Sequence, residues 1–254
     1  MKTIAVISRK GGSGKSTVTT QLATSLALRH HRVLVVDADP QRSVSDIFRQ
    51  REGPGPVCEI SAAEKLAVLK SAVASRGFDV MIIDVPGGRM DDLVLATTVS
   101  DLAVIVTRPT YVDLCAAAYS CQAVRQLGRS GLIVLNQAAL VRSGREHPSV
   151  TKAIRAIELI GMPVSPAILR YRPVYQSSAE QGLGVEEVGA ACAAGQEVAG
   201  LCNDVARRLG LDDAEPRPTS KRPGAEVSFD QRAGKDRAHR LPAAPWACPA
   251  LRGT

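Results

Sequence analysis

The sequence predicts an α/β fold in which a mostly parallel sheet lies between two layers of helices. Short runs rich in β-branched residues alternate with longer stretches in which apolar residues recur at helical spacing. The runs are almost continuously apolar, which is typical of parallel strands that are buried on both faces. This alternation indicates βαβ units, and hydrophobic residues make up 45% of the 254 residues, enough for a sizeable core.

The individual elements follow from these runs in chain order. The strand runs read IAVIS at 4–8, VLVVD at 33–37, VMIID at 80–84, AVIVT at 103–107, LIVLN at 132–136 and VSPAIL at 164–169. The stretches with helical spacing lie at 15–28, 62–75, 90–99, 112–127, 148–160 and 186–209. Residues 51–56, which contain Glu-Gly-Pro-Gly-Pro, are predicted to form a surface loop.

The composition changes near the end of the chain. Residues 212–254 contain six prolines and few aliphatic residues, with eight basic against six acidic side chains. We therefore expect an ordered domain at 1–211 and a largely disordered tail at 212–254. No signal-peptide pattern and no apolar run of about 18 residues is present, which predicts a cytoplasmic protein without a membrane-spanning segment.

The charge balance favours an anionic partner. The chain has 32 Lys+Arg against 25 Asp+Glu, a formal net charge of +7. Aromatic residues make up only 3%, so any DNA binding is expected to rest on phosphate contacts rather than base stacking. The six cysteines form no CxxC pair and are interpreted as thiols in a reducing compartment rather than zinc ligands.

The strongest motif is the segment SRKGGSGKST at residues 8–17, between a predicted strand and a predicted helix. Glycines there let several backbone N–H groups point at one anion, and the helix N-terminus adds the positive end of its dipole. Lys15 would reach the β- and γ-phosphates, the Ser16 hydroxyl would ligate Mg²⁺, and Thr17 would help to hold the phosphates. The expected phosphate-binding residues are Gly11, Gly12, Ser13, Gly14, Lys15, Ser16 and Thr17.

The loop departs from the ordinary G-x-x-x-x-G-K-[ST] pattern at two positions. Arg9 stands where that pattern has glycine, and Lys10 is an additional cation. Lys10 would repel Lys15 unless a strongly negative ligand lies between them or Lys10 is directed toward another molecule.

Residues Lys10 to Ser16 resemble the K-G-G-x-G-K-[ST] motif of the deviant Walker A ATPases of the ParA and MinD type. The resemblance implies a three-layer P-loop NTPase fold, ATP and Mg²⁺ as cofactors, and hydrolysis of ATP to ADP. It also implies that Lys10 crosses an ATP sandwich homodimer to contact the phosphates held by the partner subunit.

Two acidic segments extend the resemblance. Asp39 stands in a D-x-D-P-Q segment after the second strand, and the resemblance implies that it orients or activates the attacking water close to the metal. Asp84 ends a hydrophobic strand in the Walker B pattern and would hold Mg²⁺ through a water, and residues 86–88 after it are expected to act as a switch that senses the γ-phosphate. The expected metal site is thus Ser16, Asp39 and Asp84, and the expected catalytic residues are Lys10, Lys15 and Asp39.

The base-binding residues are expected later in the chain. Asn136 ends a strand, where family members commonly contact the adenine ring, and the guanine-selecting N-K-x-D pattern is absent, which favours ATP. Residues 170–182, with Arg170 and Pro173, resemble the segment that closes over the adenine and contributes to the dimer interface. A generic strand-loop-helix joint would have a similar sequence.

The resemblance covers about residues 1–210 and is closest to the small plasmid partition ParA proteins of the ParF type. It implies an ATP-dependent homodimer that binds DNA non-specifically, associates with the nucleoid and is stimulated by a ParB-like centromere-binding protein. Because Met1 begins at the first strand, an N-terminal operator-binding domain is not expected. The candidate DNA-contacting residues are Arg142, Arg145, Lys152, Arg155, Arg170, Arg172, Arg207 and Arg208.

Three alternatives remain open at this point. A MinD-like or other cargo-positioning ATPase is one, although prolines interrupt the C-terminal segment that would form a membrane-binding helix. A metabolic or redox enzyme on the same scaffold is another, but Cys115 and Cys121 are six residues apart on one predicted helix, a spacing unsuited to a bridging cluster. A non-catalytic nucleotide-binding module is the third, and Asp39 and Asp84 argue against it.

Overall fold

A computed structural model describes residues 1–211, in which six parallel strands form one sheet between helices. The strands are β1 Lys2–Ile7, β2 Val33–Asp37, β3 Val57–Ile60, β4 Val80–Asp84, β5 Leu102–Thr107 and β6 Ser130–Leu135, in the order β3-β2-β4-β1-β5-β6. The predicted α/β fold with a parallel sheet is confirmed. The predicted tail, 212–254, lies outside the described residues.

Nine α-helices accompany these strands within residues 1–211. They are α1 Lys15–Leu28, α2 Ser43–Arg49, α3 Leu66–Val73, α4 Met90–Val99, α5 Tyr111–Gln126, α6 Pro148–Ile160, α7 Val174–Ala179, α8 Val185–Gly189 and α9 Ala193–Leu209. None of the helices in this part of the chain is both long enough and apolar enough to cross a membrane.

Alternation along the strands builds two hydrophobic cores, one on each face of the sheet. Ile4 and Val6 of β1 pack in the core that also contains Leu22 of α1 and Leu201 of α9. Ile7 belongs to the core on the other face, which is completed by α3 to α6. Burial on both faces explains why the sequence runs are continuously apolar.

The strand register brings the acidic strand ends to one edge of the sheet. Asp37 of β2 and Asp84 of β4 are paired in register, and Val6 of β1 is paired with Asp84 on the other side. Because β1 lies next to β4, the loop that follows β1 begins beside Asp84, and Asp37 lies one strand further away. In an open α/β sheet this edge is where ligands bind.

The predicted strand at 164–169 is wrong. Only an isolated bridge joins Val164 to Ile133, and later in the segment Leu169 donates its N–H to the Leu135 carbonyl. Pro163 and Pro166 have no backbone N–H, so this segment cannot form a continuous ladder along the edge of β6.

The structure also differs from the predicted elements at the ends of several helices. The helix expected at 186–209 is divided into α8 and α9, because Cys192 adopts an extended conformation and accepts a hydrogen bond from the Gly195 N–H as the N-cap of α9. The stretch at 62–75 is α3 with a 3₁₀ turn at each end. Two short elements were not predicted, α2 and β3, whereas α7 lies within residues 170–182, where a loop and helix were expected. β3 is a partly exposed edge strand without a continuously apolar run.

Candidate nucleotide site

The glycine-rich loop connects β1 to α1, and two of its glycines have a left-handed backbone conformation. Gly12 and Gly14 have φ values of 72° and 91°, a left-handed conformation that glycine adopts without steric cost. Gly14 is the N-cap of α1 and supplies no side-chain acceptor, so the first N–H groups of α1 lack the usual side-chain cap. The start of α1 is therefore suited to bind an anion, because the helix dipole adds positive potential beside these N–H groups.

Lys15 and Ser13 are buried in this loop. Lys15 is only 6% exposed. Burial lowers the pKa of its ammonium group, and the Asp84 and Asp39 carboxylates oppose that change. The Ser13 hydroxyl is buried and has no hydrogen-bond partner among the described residues. A buried cation beside an unsatisfied hydroxyl and free helix N–H groups fits a phosphate.

Asp84 ends β4 beneath the loop and binds the first turn of α1. Its carboxylate accepts hydrogen bonds from the Ser16 hydroxyl at 2.8 Å and from the Thr19 hydroxyl at 3.1 Å. Burial raises the pKa of Asp84 to about 7, against the opposing effects of the Ser16 hydrogen bond and the Lys15 charge. Ser16 and Asp84 therefore form a hard-oxygen pair suited to Mg²⁺ and its water shell. Thr19 was not predicted, although its position three residues after Ser16 places it on the same helix face.

The two aspartates of the D-x-D segment differ in their surroundings. Asp37 is fully buried and accepts hydrogen bonds from the backbone N–H groups of Asp39 and Ser45, at 3.2 and 2.8 Å. Asp39 is half-buried, accepts from the Gln41 N–H at 2.9 Å and lines a cavity of about 270 Å³. Asp37 thus orders the turn, a role the sequence did not reveal, and Asp39 is the carboxylate that remains accessible.

The Lys10 side chain forms an ion pair with helix α5 and does not share the buried environment of Lys15. Its ammonium lies 3.0 Å from the Asp113 carboxylate of α5, and its side chain is 33% exposed. The preceding residue also contacts α5, since the Arg9 guanidinium stacks over the Tyr119 ring at 4.5 Å. The two lysines of the motif therefore have different environments: one is held at α5 and the other is buried in the loop.

The residues expected to bind the base lie at two places. Asn136 is buried after β6 and donates its side-chain N–H to the Ser13 carbonyl at 2.9 Å, so it contacts the phosphate loop directly. Arg170 makes a two-pronged hydrogen bond to Glu146 at 3.0 and 2.7 Å and donates to the Ala139 carbonyl. Its guanidinium is thereby occupied by protein groups. Pro173 precedes α7 as its N-cap residue.

The segment after β4 packs closely against the phosphate loop. A Cβ added to Gly87 would lie 2.9 Å from the Gly11 Cα and N atoms and from the Lys10 carbonyl oxygen. This backbone-to-backbone approach couples the predicted switch, residues 86–88, to the loop that would hold the phosphates.

Comparison with known proteins agrees with this architecture. The profile of the CobQ/CobB/MinD/ParA nucleotide binding domain matches residues 4–185. The chain is 29% identical over 215 residues to Maintenance of carboxysome distribution protein A from Halothiobacillus neapolitanus, covering 80% of this chain and 95% of that protein. It is 28% identical over 197 residues to Protein virC1 from Rhizobium radiobacter, covering 72% and 82%.

The fold is also similar to a solved structure with bound nucleotide. The septum site-determining protein MinD complexed with Mg-ADP from Pyrococcus horikoshii OT3 superimposes with a TM-score of 0.67 at 20% sequence identity, covering 83% of this chain and 98% of that chain. The resemblance seen in the sequence motifs is confirmed by the family profile, which spans well over half of the residues. The chain belongs to the CobQ/CobB/MinD/ParA family of nucleotide-binding domains.

Proposed function

We propose that this protein is a Mg²⁺-dependent ATPase that forms an ATP-bound homodimer, binds DNA non-specifically and thereby partitions a DNA cargo. Hydrolysis of ATP to ADP is stimulated by a ParB-like centromere-binding protein, and the ATP-bound form is cytoplasmic and associated with the nucleoid. One observation carries the proposal: of the two lysines on the glycine-rich loop, only Lys15 is buried beside Asp84, while Lys10 is held at α5. Lys10 therefore does not share the site of Lys15 and, once it leaves Asp113, can contact a second phosphate site on another subunit.

The residues of the loop divide the work of binding. Gly11, Gly12, Ser13, Gly14, Lys15 and Thr17 hold the phosphates, and Asn136 fixes the loop through Ser13. Ser16, Asp84 and Asp39 hold Mg²⁺, directly or through its waters, and Arg170 and Pro173 stay candidates for contacts near the adenine. When bound, Mg²⁺-ATP supplies the phosphoryl group and part of the charge neutralisation.

The chain's own groups supply the remaining chemistry. Asp39 is the accessible carboxylate at the end of β2, so it orients a water and accepts its proton. Lys15 stabilises negative charge that develops on the phosphoryl oxygens, and burial strengthens that interaction. Lys10 completes the site from the partner subunit, which makes turnover in isolated subunits slow. We assign this machinery to residues 1–211.

The test separates binding from turnover with two lysine variants. Lys15→Ala should abolish detectable binding of Mg²⁺-ATP, because the loop loses its buried cation. Lys10→Ala should bind Mg²⁺-ATP within about threefold of wild type but lose dimer-dependent turnover by a factor on the order of 10³. Calorimetry measures binding, and phosphate release in the presence of DNA and partner protein measures turnover. Lys65→Ala, an exposed lysine on the turn before α3, is the matched control.

Two results would each contradict a different part of the proposed function. Wild-type protein that binds Mg²⁺-ATP but never releases phosphate, even with DNA and partner, is a nucleotide-binding module rather than an ATPase. Full turnover in Lys10→Ala removes the trans role of that lysine and with it the observation on which the proposed dimer depends.

The candidate DNA-contacting residues divide by their ion pairs. Arg170 and Arg172 contact glutamates, and Arg207 and Arg208 contact Asp204. The other four are exposed and form no ion pair within residues 1–211: Arg142, Arg145, Lys152 and Arg155. We assign the DNA-binding surface to these four.

A second candidate is the positioning of a protein cargo by the same ATPase cycle. It is favoured by the similarity to a protein named for carboxysome distribution. Deleting the gene in its native cell distinguishes the two. Increased loss of a plasmid or other replicon supports DNA partition, whereas clustering of a protein assembly with normal replicon inheritance supports the second candidate.

A further inference from the structure

Asp113 is a buried carboxylate that three donors surround at the start of α5. Its side chain is 1% exposed and accepts from the Lys10 ammonium at 3.0 Å. The Arg108 guanidinium contacts it at 3.2 Å through both Nε and Nη2, and the Thr110 hydroxyl donates a hydrogen bond to it. Burial opposes ionisation of Asp113, but the hydrogen bonds from these three residues outweigh it and lower its pKa.

The main chain before the phosphate loop is also attached to α5. The Arg9 N–H donates to the Ser120 hydroxyl at 3.3 Å, and its guanidinium stacks on Tyr119. Both residues that precede Gly11 are therefore held by one helix, at contacts spread over two of its turns. This explains how Lys10 can lie near Lys15 in sequence without entering the same site.

We infer that Asp113 is the positioning residue of Lys10: it holds the ammonium on its own subunit and sets how readily Lys10 is released toward a partner's phosphates. The inference rests on the proposed function, in which Lys10 acts in trans. Phosphate groups of a nucleotide carry more negative charge than one carboxylate, so they compete for the ammonium once two subunits meet.

Arg108 lowers the free-energy cost of releasing Lys10 from Asp113. When Lys10 leaves, Asp113 keeps a hydrogen bond from Arg108 Nε, an ion-pair contact with Arg108 Nη2 and a hydrogen bond from the Thr110 hydroxyl. Breaking a buried ion pair is costly when it leaves a buried charge without a partner. Asp113 keeps its contacts with Arg108 and Thr110, so its carboxylate is not left in that state. The Lys10–Asp113 ion pair can therefore break at a low free-energy cost. Asp113 slows the release of Lys10 but does not prevent it.

A purely structural role predicts something different. Asp113 lies in the first turn of α5, where its N–H donates to the Thr110 hydroxyl at 3.3 Å, so the two residues also cap the helix. If capping is the whole role, removing the cap by Thr110→Val and removing the charge by Asp113→Asn should have the same effect on Lys10.

The first experiment measures the reactivity of the Lys10 amine in the full-length, nucleotide-free protein. Reductive methylation followed by peptide mass spectrometry gives the labelling rate of each lysine. Asp113→Asn should raise the Lys10 rate by about three- to tenfold, the range expected when a partly exposed lysine loses a charged hydrogen bond. Asp113→Glu should restore most of the protection, and exposed Lys65 should react equally in all variants. An unchanged Lys10 rate in Asp113→Asn, or an equal increase in Thr110→Val, overturns the inference.

The second experiment connects the pair to dimer formation. Sedimentation velocity with Mg²⁺ and adenosine 5′-(γ-thio)triphosphate gives the nucleotide concentration at half-maximal dimer. Asp113→Asn should lower that concentration by about three- to tenfold, because the resistance to Lys10 release is removed. Wild-type protein that dimerises at the same concentration as Asp113→Asn overturns the inference. Wild-type protein that stays monomeric at saturating nucleotide instead overturns the proposed function, and the labelling rates then decide alone whether Asp113 holds Lys10.

Discussion

At the residue scale, Asp84 is a fully buried carboxylate that we propose as a ligand of Mg²⁺ or of its waters. Its carboxylate has two hydroxyl donors and the nearby Lys15, yet desolvation prevails and raises its pKa from 3.8 to about 7. A carboxyl in this environment is partly protonated near neutral pH until a bound divalent cation compensates its charge. The residue that prepares the metal site therefore destabilises the nucleotide-free fold.

This gives a prediction for stability against pH. Because the folded-state pKa of Asp84 lies above the unfolded value, its favourable contribution is complete below about pH 4 and is lost as pH rises through about 7. Relative to Asp84→Asn, nucleotide-free wild type should lose stability between pH 4 and pH 8, by at most roughly 4 kcal/mol at 1.36 kcal/mol per pH unit. Urea unfolding of both proteins across this range measures the difference.

The comparison with Asp84→Asn isolates one carboxyl. Asparagine cannot accept both the Ser16 and Thr19 hydrogen bonds in the same way, but that change adds a constant offset rather than a slope. A difference between the two proteins that stays constant from pH 4 to pH 8 contradicts the prediction.

At the element scale, the segment after β4 and the loop after β1 approach each other through backbone alone. The space beside Gly87 is closed by Gly11 and the Lys10 carbonyl, none of which can move aside as a flexible side chain could. Gly87→Ala should therefore displace the two loops and weaken Mg²⁺-ADP binding by about tenfold, from a steric cost of roughly 1–3 kcal/mol. Isothermal titration calorimetry gives the dissociation constant.

Gly200→Ala is the matched control for this prediction. Gly200 lies inside α9, where a Cβ would meet only the Ala167 Cβ at an ordinary 3.5 Å. Alanine should stabilise that helix by about 0.5–1 kcal/mol without changing nucleotide binding. Tight Mg²⁺-ADP binding in Gly87→Ala, equal to that of Gly200→Ala, shows that the close approach has no role in the site.

The same scale shows which features a sequence can reveal. Strands β1, β2, β4, β5 and β6 are buried on both faces, so their apolar runs predicted them. Edge strand β3 is partly exposed and carries no such run, and the prolines near Val164 break a ladder that the apolar pattern alone predicts. Patterns of hydrophobicity therefore predict strands that are buried on both faces, including edge strand β6, and fail where a strand is partly exposed or interrupted by proline.

The site follows the same division. The phosphate loop, Asp39 and Asp84 could be predicted because their chemistry is local in sequence. Asp113 could not, since its contact with Lys10 joins residues 103 positions apart and depends on the β1-β5 pairing. The Glu146 contact of Arg170 likewise depends on tertiary structure, and sequence alone could not show that this guanidinium is occupied.

At the scale of the whole domain described, residues 1–211, four exposed cations without an ion pair lie close together in the sequence after β6. Arg142 and Arg145 are paired across a tight turn formed by Ser143 and Gly144, whose φ values of 48° and 72° are both left-handed. Lys152 and Arg155 follow three residues apart on an exposed face of α6. The adjacent Glu146 is occupied by Arg170, so it does not neutralise these cations.

Reversing the turn's charges tests whether this surface contacts DNA. The double variant Arg142→Glu with Arg145→Glu should weaken binding of the ATP-bound protein to non-specific duplex on the order of tenfold to a hundredfold at fixed salt. The slope of log K against log salt should become shallower by about two, since two phosphate contacts are lost. Lys2→Glu with Lys65→Glu makes the same change in net charge at other exposed positions and should leave the slope unaltered. Fluorescence anisotropy across a salt series measures both quantities, and calorimetry checks that nucleotide binding persists. If the two double variants weaken binding equally, DNA responds to the overall charge of the protein, and no surface near the turn recognises it.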